Sequence, residues 1–201
     1  MTHTAKLLCD LIALPSVNPA FLPARDPWGG EQAVAEFLAA RATRAQLDVE
    51  FQPVQPKRNN LLVRLSPAGP VRHRLLLAPH LDTVGGEAGD AAMFTPKHRP
   101  GRLHGRGACD TKASVAAMFD AVCCLARGAP RPAHTEIVFA GLVDEECGQA
   151  GSRTLVANRF KADLAIVGEP TRLKVASAHK GVLWFQLQTR GKAAHGARPE
   201  L

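Results

Sequence analysis

Apolar residues are arranged along the chain in two spacings, one typical of helices and one typical of buried strands. In residues 30–47, and again after Asp110, they recur three or four positions apart, which predicts amphipathic helices; shorter helices are predicted at the start of the chain and at residues 152–158. Short aliphatic runs, typical of buried strands, occupy residues 61–65, 75–80, 137–143 and 164–167. Because strands alternate with helices, the sequence predicts an α/β fold, with a mostly parallel sheet flanked by helices.

Two stretches depart from this alternation. Residues 85–107 are rich in glycine and proline and show no clear period, so a long loop is predicted, and such loops in compact domains are commonly functional. Asp110 follows as the predicted N-cap of the next helix. From residue 174 onward two strand-like runs replace the earlier pattern, so we expect a domain boundary there, with antiparallel strands after it.

Composition and charge narrow the classes of function. The formal net charge is +7, but aromatic residues make up only 5% and tyrosine is absent, so no stacking platform accompanies the charge and no nucleic-acid partner is expected. No run approaches the ~20 apolar residues that span a bilayer, and Asp10 interrupts the apolar start, so we expect neither a membrane anchor nor a signal peptide. Five cysteines without a CxxC spacing favour a reducing compartment, and we expect a cytoplasmic protein.

One histidine and several acids follow the ends of the aliphatic runs. His80 and Asp82 come at the end of the second run, Asp110 opens a helix, residues 144–146 read Asp-Glu-Glu after the third run, and Glu169 follows the fourth. In open parallel sheets, ligands bind beyond the carboxyl ends of the strands. His80 and Asp82 are two residues apart, so both can face one site, where a carboxylate commonly fixes the tautomer of a ligating histidine.

Each of these residues also has an ordinary structural explanation. His80 would be a satisfied histidine at a strand end, Asp110 a helix N-cap, residues 144–146 a solvated turn, and Glu169 a turn before Pro170. Their arrival on successive elements of one sheet favours a shared site instead. Packed carboxylates repel one another unless a cation joins them. The imidazole and carboxylate donors suit zinc, with cobalt and manganese as alternatives, and the number of acids indicates two ions about 3.5–4 Å apart.

Five blocks of sequence carry a family resemblance. In chain order they read HLD, GRGACDTKAS, DEECGQAGS, GEPT and GKAAHGARPE. They resemble the signature blocks of the metallopeptidase family that includes aminoacylase, acetylornithine deacetylase, succinyl-diaminopimelate desuccinylase and glutamate carboxypeptidase. The resemblance covers the chain from around Leu75 and implies two divalent metal ions. By this resemblance His80 and Glu169 ligate the first metal, Asp110 bridges both metals, and Glu146 ligates the second.

The resemblance also implies catalytic roles and an amide-hydrolysing activity. Asp82 would orient His80, Glu145 would be the general base for the attacking water, and His195, on a lid domain, would stabilise the oxyanion in the active site of the partner subunit. The implied substrate is an N-acyl amino acid or a peptide. The implied assembly is a homodimer formed through the lid domain.

The same resemblance assigns the two parts of the chain. Residues 1–173 would be the metal-binding catalytic domain without its C-terminal part, and residues 174–201 would begin an α+β lid or dimerisation domain. The last metal ligand of the family, a histidine, lies beyond Leu201. We therefore expect that this chain by itself is not an active enzyme.

The resemblance leaves the substrate open. Pro79 stands where the family usually has glycine, and Gly85 and Gly86 replace a common proline, in loops that shape the substrate pocket. A dipeptidase or carboxypeptidase is therefore the alternative to a deacylase. A non-catalytic binding module is the alternative of a different class, although no ligand within this span is lost.

Overall fold

The computed structural model describes residues 1–86, 91–128, 130–183, 185–191 and 194–198. The chain divides into two units, Met1–Pro170 and Thr171–Leu201. The helices are α1 (His3–Ile12), α2 (Gln32–Arg44), α3 (Lys112–Arg127) and α4 (Ala150–Ala157). The strands are β1 (Asp48–Gln55), β2 (Arg58–Leu65), β3 (His73–Pro79), β4 (Lys97–Arg99), β5 (Arg102–His104), β6 (Thr135–Gly141) and β7 (Leu164–Gly168).

Five strands form the main sheet in the order β1-β2-β6-β3-β7. Strand β3 pairs in parallel with β6 and with β7, whereas β2 pairs antiparallel with β1 and with β6. The α/β fold class is confirmed, and the sheet is mixed rather than mostly parallel. Strands β1 and β2 are antiparallel because only Pro56 and Lys57 separate them, and so short a turn joins strands as a hairpin. Strand β1 is largely exposed and polar, so no aliphatic run in the sequence predicts it.

Helices cover both faces of this sheet. On one face Phe119 of α3 meets Phe139 of β6 edge to face, with ring centroids 5.5 Å apart, and Leu38 of α2 is buried in the same cluster. On the other face Leu155 of α4 belongs to a cluster with Val138 of β6. Successive residues of β6 therefore serve opposite faces, which is why residues 137–141 are apolar without interruption.

The parallel strands bring their carboxyl ends to one rim. Pro79 at the end of β3 pairs with Gly168 at the end of β7, and an isolated bridge joins His80 to Leu142 just beyond β6. The Thr111 hydroxyl donates a hydrogen bond to the carbonyl oxygen of Gly168 at 2.6 Å, which fixes the start of α3 at the same place. Segments that follow three strands and precede one helix therefore converge at this rim.

The predicted capping role of Asp110 is wrong. Helix α3 begins at Lys112, and the residue in the N-cap position is Thr111, whose side chain makes no capping hydrogen bond. The predicted long loop at residues 85–107 contains a 3-10 turn, Ala91–Phe94, and the small β4–β5 hairpin; its residues 87–90 lie outside the described part.

The second unit also differs from the expectation of antiparallel strands. Its described residues form no strand, and one isolated bridge pairs His195 with Arg198. Trp184, in the second of the two predicted runs, lies outside the described residues. No helix in the described part of the chain has the length and apolar character required to cross a membrane.

Candidate metal centre

His80 is the centre of the rim. Its ring is buried, with 2% of the side chain exposed, and Nε2 lies 3.0 Å from Asp110 Oδ1. The same nitrogen lies 3.8 Å from Glu145 Oε2 and 4.0 Å from Glu169 Oε1. The other nitrogen, Nδ1, is 2.9 Å from the backbone carbonyl oxygen of Asp82, so it carries the proton when it donates there and leaves Nε2 free to bind a cation.

Among the residues that the structure describes, two groups of side chains at this rim have the spacing of a metal site. His80, Asp110 and Glu169 form one group, and His80, Glu145 and Glu146 form the other; within each group the ligand atoms lie within 4.8 Å of one another. The five residues are therefore brought together, as the sequence predicts. The carboxylates of Asp110 and Glu145 are about half exposed, at 53% and 43%, so the site is open to solvent on one side.

Burial and the mutual repulsion of the carboxylates shift the pKa values of the residues at this rim. Burial, and then the negative charges of Asp110, Asp82 and Glu145, raise the pKa of Glu146 to about 7. Burial likewise raises the pKa of Glu145 and of Glu169, and neighbouring carboxylates add to that effect. For His80, burial favours the neutral ring, but the surrounding carboxylates raise its pKa to about 10.

A divalent cation removes this repulsion. One imidazole and four carboxylates offer nitrogen and oxygen donors that suit zinc, cobalt or manganese, so the residues present fit a metal of this kind. A metal at His80 Nε2 takes the place of the proton that the carboxylates otherwise hold on the ring.

The carboxylate of Asp82 lies closer to the backbone of the glutamate segment than to the imidazole of His80. Its carboxylate Oδ1 is 3.5 Å from His80 Nδ1. The same carboxylate accepts the backbone N–H groups of Glu145 and Glu146, each at 3.1 Å. Asp82 is fully buried, and although burial opposes its ionisation, the contacts with His80, Asn18 and the backbone of Glu146 lower its pKa. It therefore holds the glutamate segment at least as directly as it holds the imidazole.

Asp144, the first acid of the Asp-Glu-Glu triplet, belongs to a buried ionic network behind the site. Arg58 donates two hydrogen bonds to the Glu31 carboxylate, at 2.9 and 2.6 Å, and one to Asp144 Oδ1 at 3.1 Å. The Asp144 N–H donates to Glu31 Oε1 at 3.1 Å. Burial opposes the charge on Arg58, but Glu31 and Asp144 outweigh it and raise its pKa.

Sequence reasoning missed Asn18, Glu31 and Arg58, which belong to a loop, the start of a helix and a strand. They lie 126, 113 and 86 positions from Asp144, respectively. The only available signal was the position of polar residues beside apolar runs, as in Arg58 before the run at 61–65. Such a signal does not say which acid the cation pairs with.

His195 belongs to the second unit, whereas the cluster belongs to the first. Its ring is exposed, and Nδ1 accepts a hydrogen bond from the Ala197 N–H at 3.3 Å. Its role in oxyanion stabilisation stays a prediction.

The α/β sheet and the imidazole–carboxylate cluster at its rim define the class of protein, an α/β domain whose residues could hold a divalent metal ion. A sequence model of peptidase family M20/M25/M40 matches residues 76–183. The chain belongs to this family. The family relationship agrees with the resemblance of the five sequence blocks.

Named relatives are identical to this chain at about a third of the aligned positions. An acetylornithine deacetylase of Proteus mirabilis is 34% identical over 200 residues, covering 97% of this chain and 49% of the relative. A succinyl-diaminopimelate desuccinylase of Variovorax paradoxus is 32% identical over 215 residues, covering 100% and 53%. A probable carboxypeptidase of Emericella nidulans is 32% identical over 208 residues, covering 96% and 46%. The chain thus spans about half the length of the curated relatives it matches.

The fold is also similar to that of solved structures. The M20 family metallo-carboxypeptidase Sso-CP2 from Sulfolobus solfataricus superimposes with a TM-score of 0.67 at 17% identity, covering 84% of this chain and 37% of that protein. At this identity the similarity supports the fold alone.

Proposed function

We propose that the protein is a metal-dependent hydrolase that cleaves the amide bond of an N-acyl amino acid. The observation that carries this proposal is the convergence on His80 Nε2 of carboxylates from three separate elements, Asp110, Glu145 and Glu169. Their chemistry is that of a site for two divalent ions, with zinc as the preferred metal and cobalt or manganese as substitutes. His80, Asp110, Glu146 and Glu169 would hold these ions.

The metal supplies Lewis-acid activation of water and of the scissile carbonyl when it is bound. Glu145 would accept a proton from water at its carboxylate and return it to the nitrogen of the leaving amine. Two features support this role. Burial raises its pKa, which brings the carboxylate closer to the operating pH of a proton shuttle, and its Oε2 lies only 3.8 Å from the imidazole of His80.

The names of similar proteins support the substrate class. Two of the similar proteins carry the names of deacylases that act on acylated amino acids, which favours a deacylase. The relative named as a probable carboxypeptidase supports a dipeptidase or carboxypeptidase as the second candidate. A non-catalytic binding module has weaker support, because every predicted ligand within this span is present at the rim.

The test compares substrates with the full-length protein. Purified enzyme loaded with zinc or cobalt is assayed with N-acetyl amino acids, N-succinyl amino acids and dipeptides, with Glu145→Gln as the inactive control. Hydrolysis of the acyl substrates that a chelator abolishes and metal restores supports the deacylase. Preferential dipeptide cleavage supports the second candidate, and activity unaffected by chelator contradicts the proposal.

Two further proposals concern assembly and location. The family resemblance supports a homodimer through the second domain, with His195 serving the active site across it; a His195→Ala variant with lower kcat and unchanged metal content would agree with that role. The five free cysteines support a reducing compartment such as the cytoplasm. Light scattering of the full-length protein tests the dimer, and cell fractionation tests the location.

A further inference from the structure

Asn18 is a fully buried amide whose hydrogen-bonding groups all have partners. It follows α1 in the segment Ser-Val-Asn-Pro, and its backbone N–H donates to the carbonyl oxygen of Thr83 at 2.9 Å. Its side-chain Oδ1 accepts the N–H of Ala20 at 3.1 Å, which identifies the oxygen end of the amide. The two hydrogens of Nδ2 are therefore directed at two acceptors.

Those acceptors are both buried carboxylates. Nδ2 lies 2.7 Å from Asp82 Oδ2 and 3.0 Å from Asp144 Oδ1. The two acids are 0% and 5% exposed and carry like charges, so they would repel without a donor between them. Of these two acids, Arg58 pairs with Asp144, at 3.1 Å, and not with Asp82. Among the described residues, the side-chain amide of Asn18 donates a hydrogen bond to each of the two acids.

Both acids in turn fix the backbone that carries the functional glutamates. Asp82 accepts the N–H groups of Glu145 and Glu146, and Asp144 directly precedes them. Asp144 has a left-handed φ of 66°, and its Oδ2 accepts the N–H of Ala150 at 3.2 Å, so it fixes the sharp turn through which the chain leaves β6. The backbone of residues 144–146 is thus held from both sides by carboxylates that share one amide.

We infer that Asn18 is a positioning residue for Glu145 and Glu146: its amide holds Asp82 and Asp144 together, and these two acids set the direction of the glutamate side chains. The inference rests on the proposed function, because it assigns a purpose to that geometry. A merely structural amide would support the stability of the fold and leave the properties of the metal centre unchanged.

The experiment uses three variants of the full-length protein. Asn18→Asp keeps the size of the side chain but replaces both donor hydrogens with a third acid. Asn18→Ser keeps a single hydroxyl donor and is the milder change. Asn59→Asp is the matched control, because the Asn59 amide donates to Gln32 at 3.3 Å and is part of neither carboxylate pair. Unfolding is followed by urea, metal binding by titration with cobalt(II) and its visible absorption spectrum, and turnover by kcat and KM.

We expect Asn18→Asp to weaken cobalt binding by roughly 10–100-fold and to alter the absorption spectrum of the bound ion. Turnover should fall by about 100-fold in kcat, with a much smaller change in KM, because the proton-transfer group is displaced while substrate contacts are not. Asn18→Ser should show the same changes to a smaller degree. Asn59→Asp should match the unmodified protein in spectrum and kcat.

The outcomes distinguish a failure of the proposed function from a failure of the positioning role of Asn18. If the unmodified protein binds no cobalt and hydrolyses no acyl substrate, the proposed function fails. If it does both, but Asn18→Ser and Asn59→Asp retain its spectrum and kcat and differ only in urea midpoint, Asn18 is structural and the inference is overturned. Should Asn18→Asp fail to fold, the serine variant decides.

Discussion

His80 Nε2 lies 3.0 Å from a carboxylate oxygen of Asp110, although 30 positions separate the two residues. One follows the end of β3 and the other precedes α3, and the hydroxyl of Thr111 fixes the second element to the end of β7. The same ring nitrogen also faces Glu145 and Glu169. A single N–H satisfies one acceptor well, whereas a shared cation satisfies all of them.

Glu145 and Glu146 are adjacent and chemically identical, yet we predict that substitutions at the two positions have different effects. In the full-length enzyme Glu145→Gln should retain its metal and lose turnover by at least about 100-fold, because it removes a proton acceptor. Glu146→Ala should lose metal from one position. Metal content by atomic emission, measured beside kcat, checks both variants. Equal metal loss in the two variants would contradict these roles.

Asp82→Asn should weaken the metal by roughly 10–100-fold and preserve the fold. The amide has one oxygen in place of two, so at least one of the N–H groups of Glu145 and Glu146 loses its acceptor. Chelator competition gives the metal affinity. Asp48→Asn is the control, since Asp48 is exposed on β1 and receives a hydrogen bond from the Ser66 hydroxyl at 3.1 Å. An affinity equal to that of this control would reduce Asp82 to a turn residue.

Metal binding should release protons, and its affinity should rise with pH. Without metal the pKa of His80 is about 10 and that of Glu146 about 7, so both must lose protons to act as ligands. When the full-length protein binds both ions, we expect about one proton released per protein near pH 8, from His80, and about two near pH 6, where Glu146 is also protonated. Calorimetry in buffers of different ionisation enthalpy measures this number. Release that does not change between pH 6 and pH 8 would contradict the role of Glu146.

The same pKa values set the sign of the effect of pH on the metal-free fold. Both lie above the ordinary values of 6.5 and 4.5, so at these two groups the folded chain binds more protons than the unfolded chain between about pH 4.5 and pH 10. The contribution of these groups to stability is therefore lost as pH rises through that window. Burial lowers the pKa of Lys112 to about 7, and that group acts in the opposite direction above pH 7. Saturating metal should reverse the trend, and urea unfolding at several pH values, with and without zinc, follows it.

The cluster was predictable from the sequence because it depends on strand ends. An aliphatic run locates a strand, the parallel arrangement places the ends of β3, β6 and β7 at one rim, and the polar residues that follow must meet there. The partners of Asp144 were not predictable, because Asn18 and Arg58 reach it through side chains from distant segments. The antiparallel edge of the sheet was not predictable for a related reason. The exposed polar strand β1 carries no apolar pattern, and the hairpin turn alone sets the direction of β2 relative to β1.

Gly151→Ala should destabilise the protein by about 1–3 kcal/mol, because the added methyl group overpacks a buried site. Its Cβ would lie 2.6 Å from Asn60 Oδ1 and would also collide with the carbonyl oxygen of Val143. Gly128→Ala is the control: the nearest atom there is 3.4 Å away, so stability should stay unchanged or rise by up to about 1 kcal/mol. Urea unfolding measures the stability of both variants. Equal midpoints would show that Asn60 moves to accommodate the added methyl group without a loss in the free energy of unfolding.

The 201-residue chain should bind one zinc ion tightly and show no hydrolysis above background. Both candidate ligand groups in the described residues contain His80, and its Nε2 ligates one ion at a time. Once His80, Asp110 and Glu169 hold an ion, a second position has carboxylates such as Glu146 but no further imidazole from the same cluster, and carboxylates alone bind zinc weakly. Chemistry that depends on two ions is then incomplete. Calorimetric zinc titration with an N-acetyl amino acid assay measures both properties, with His80→Ala as the control that should lose the tight site. Two tight sites per chain, or measurable turnover, would show that the second ion has ligands other than those assigned to it.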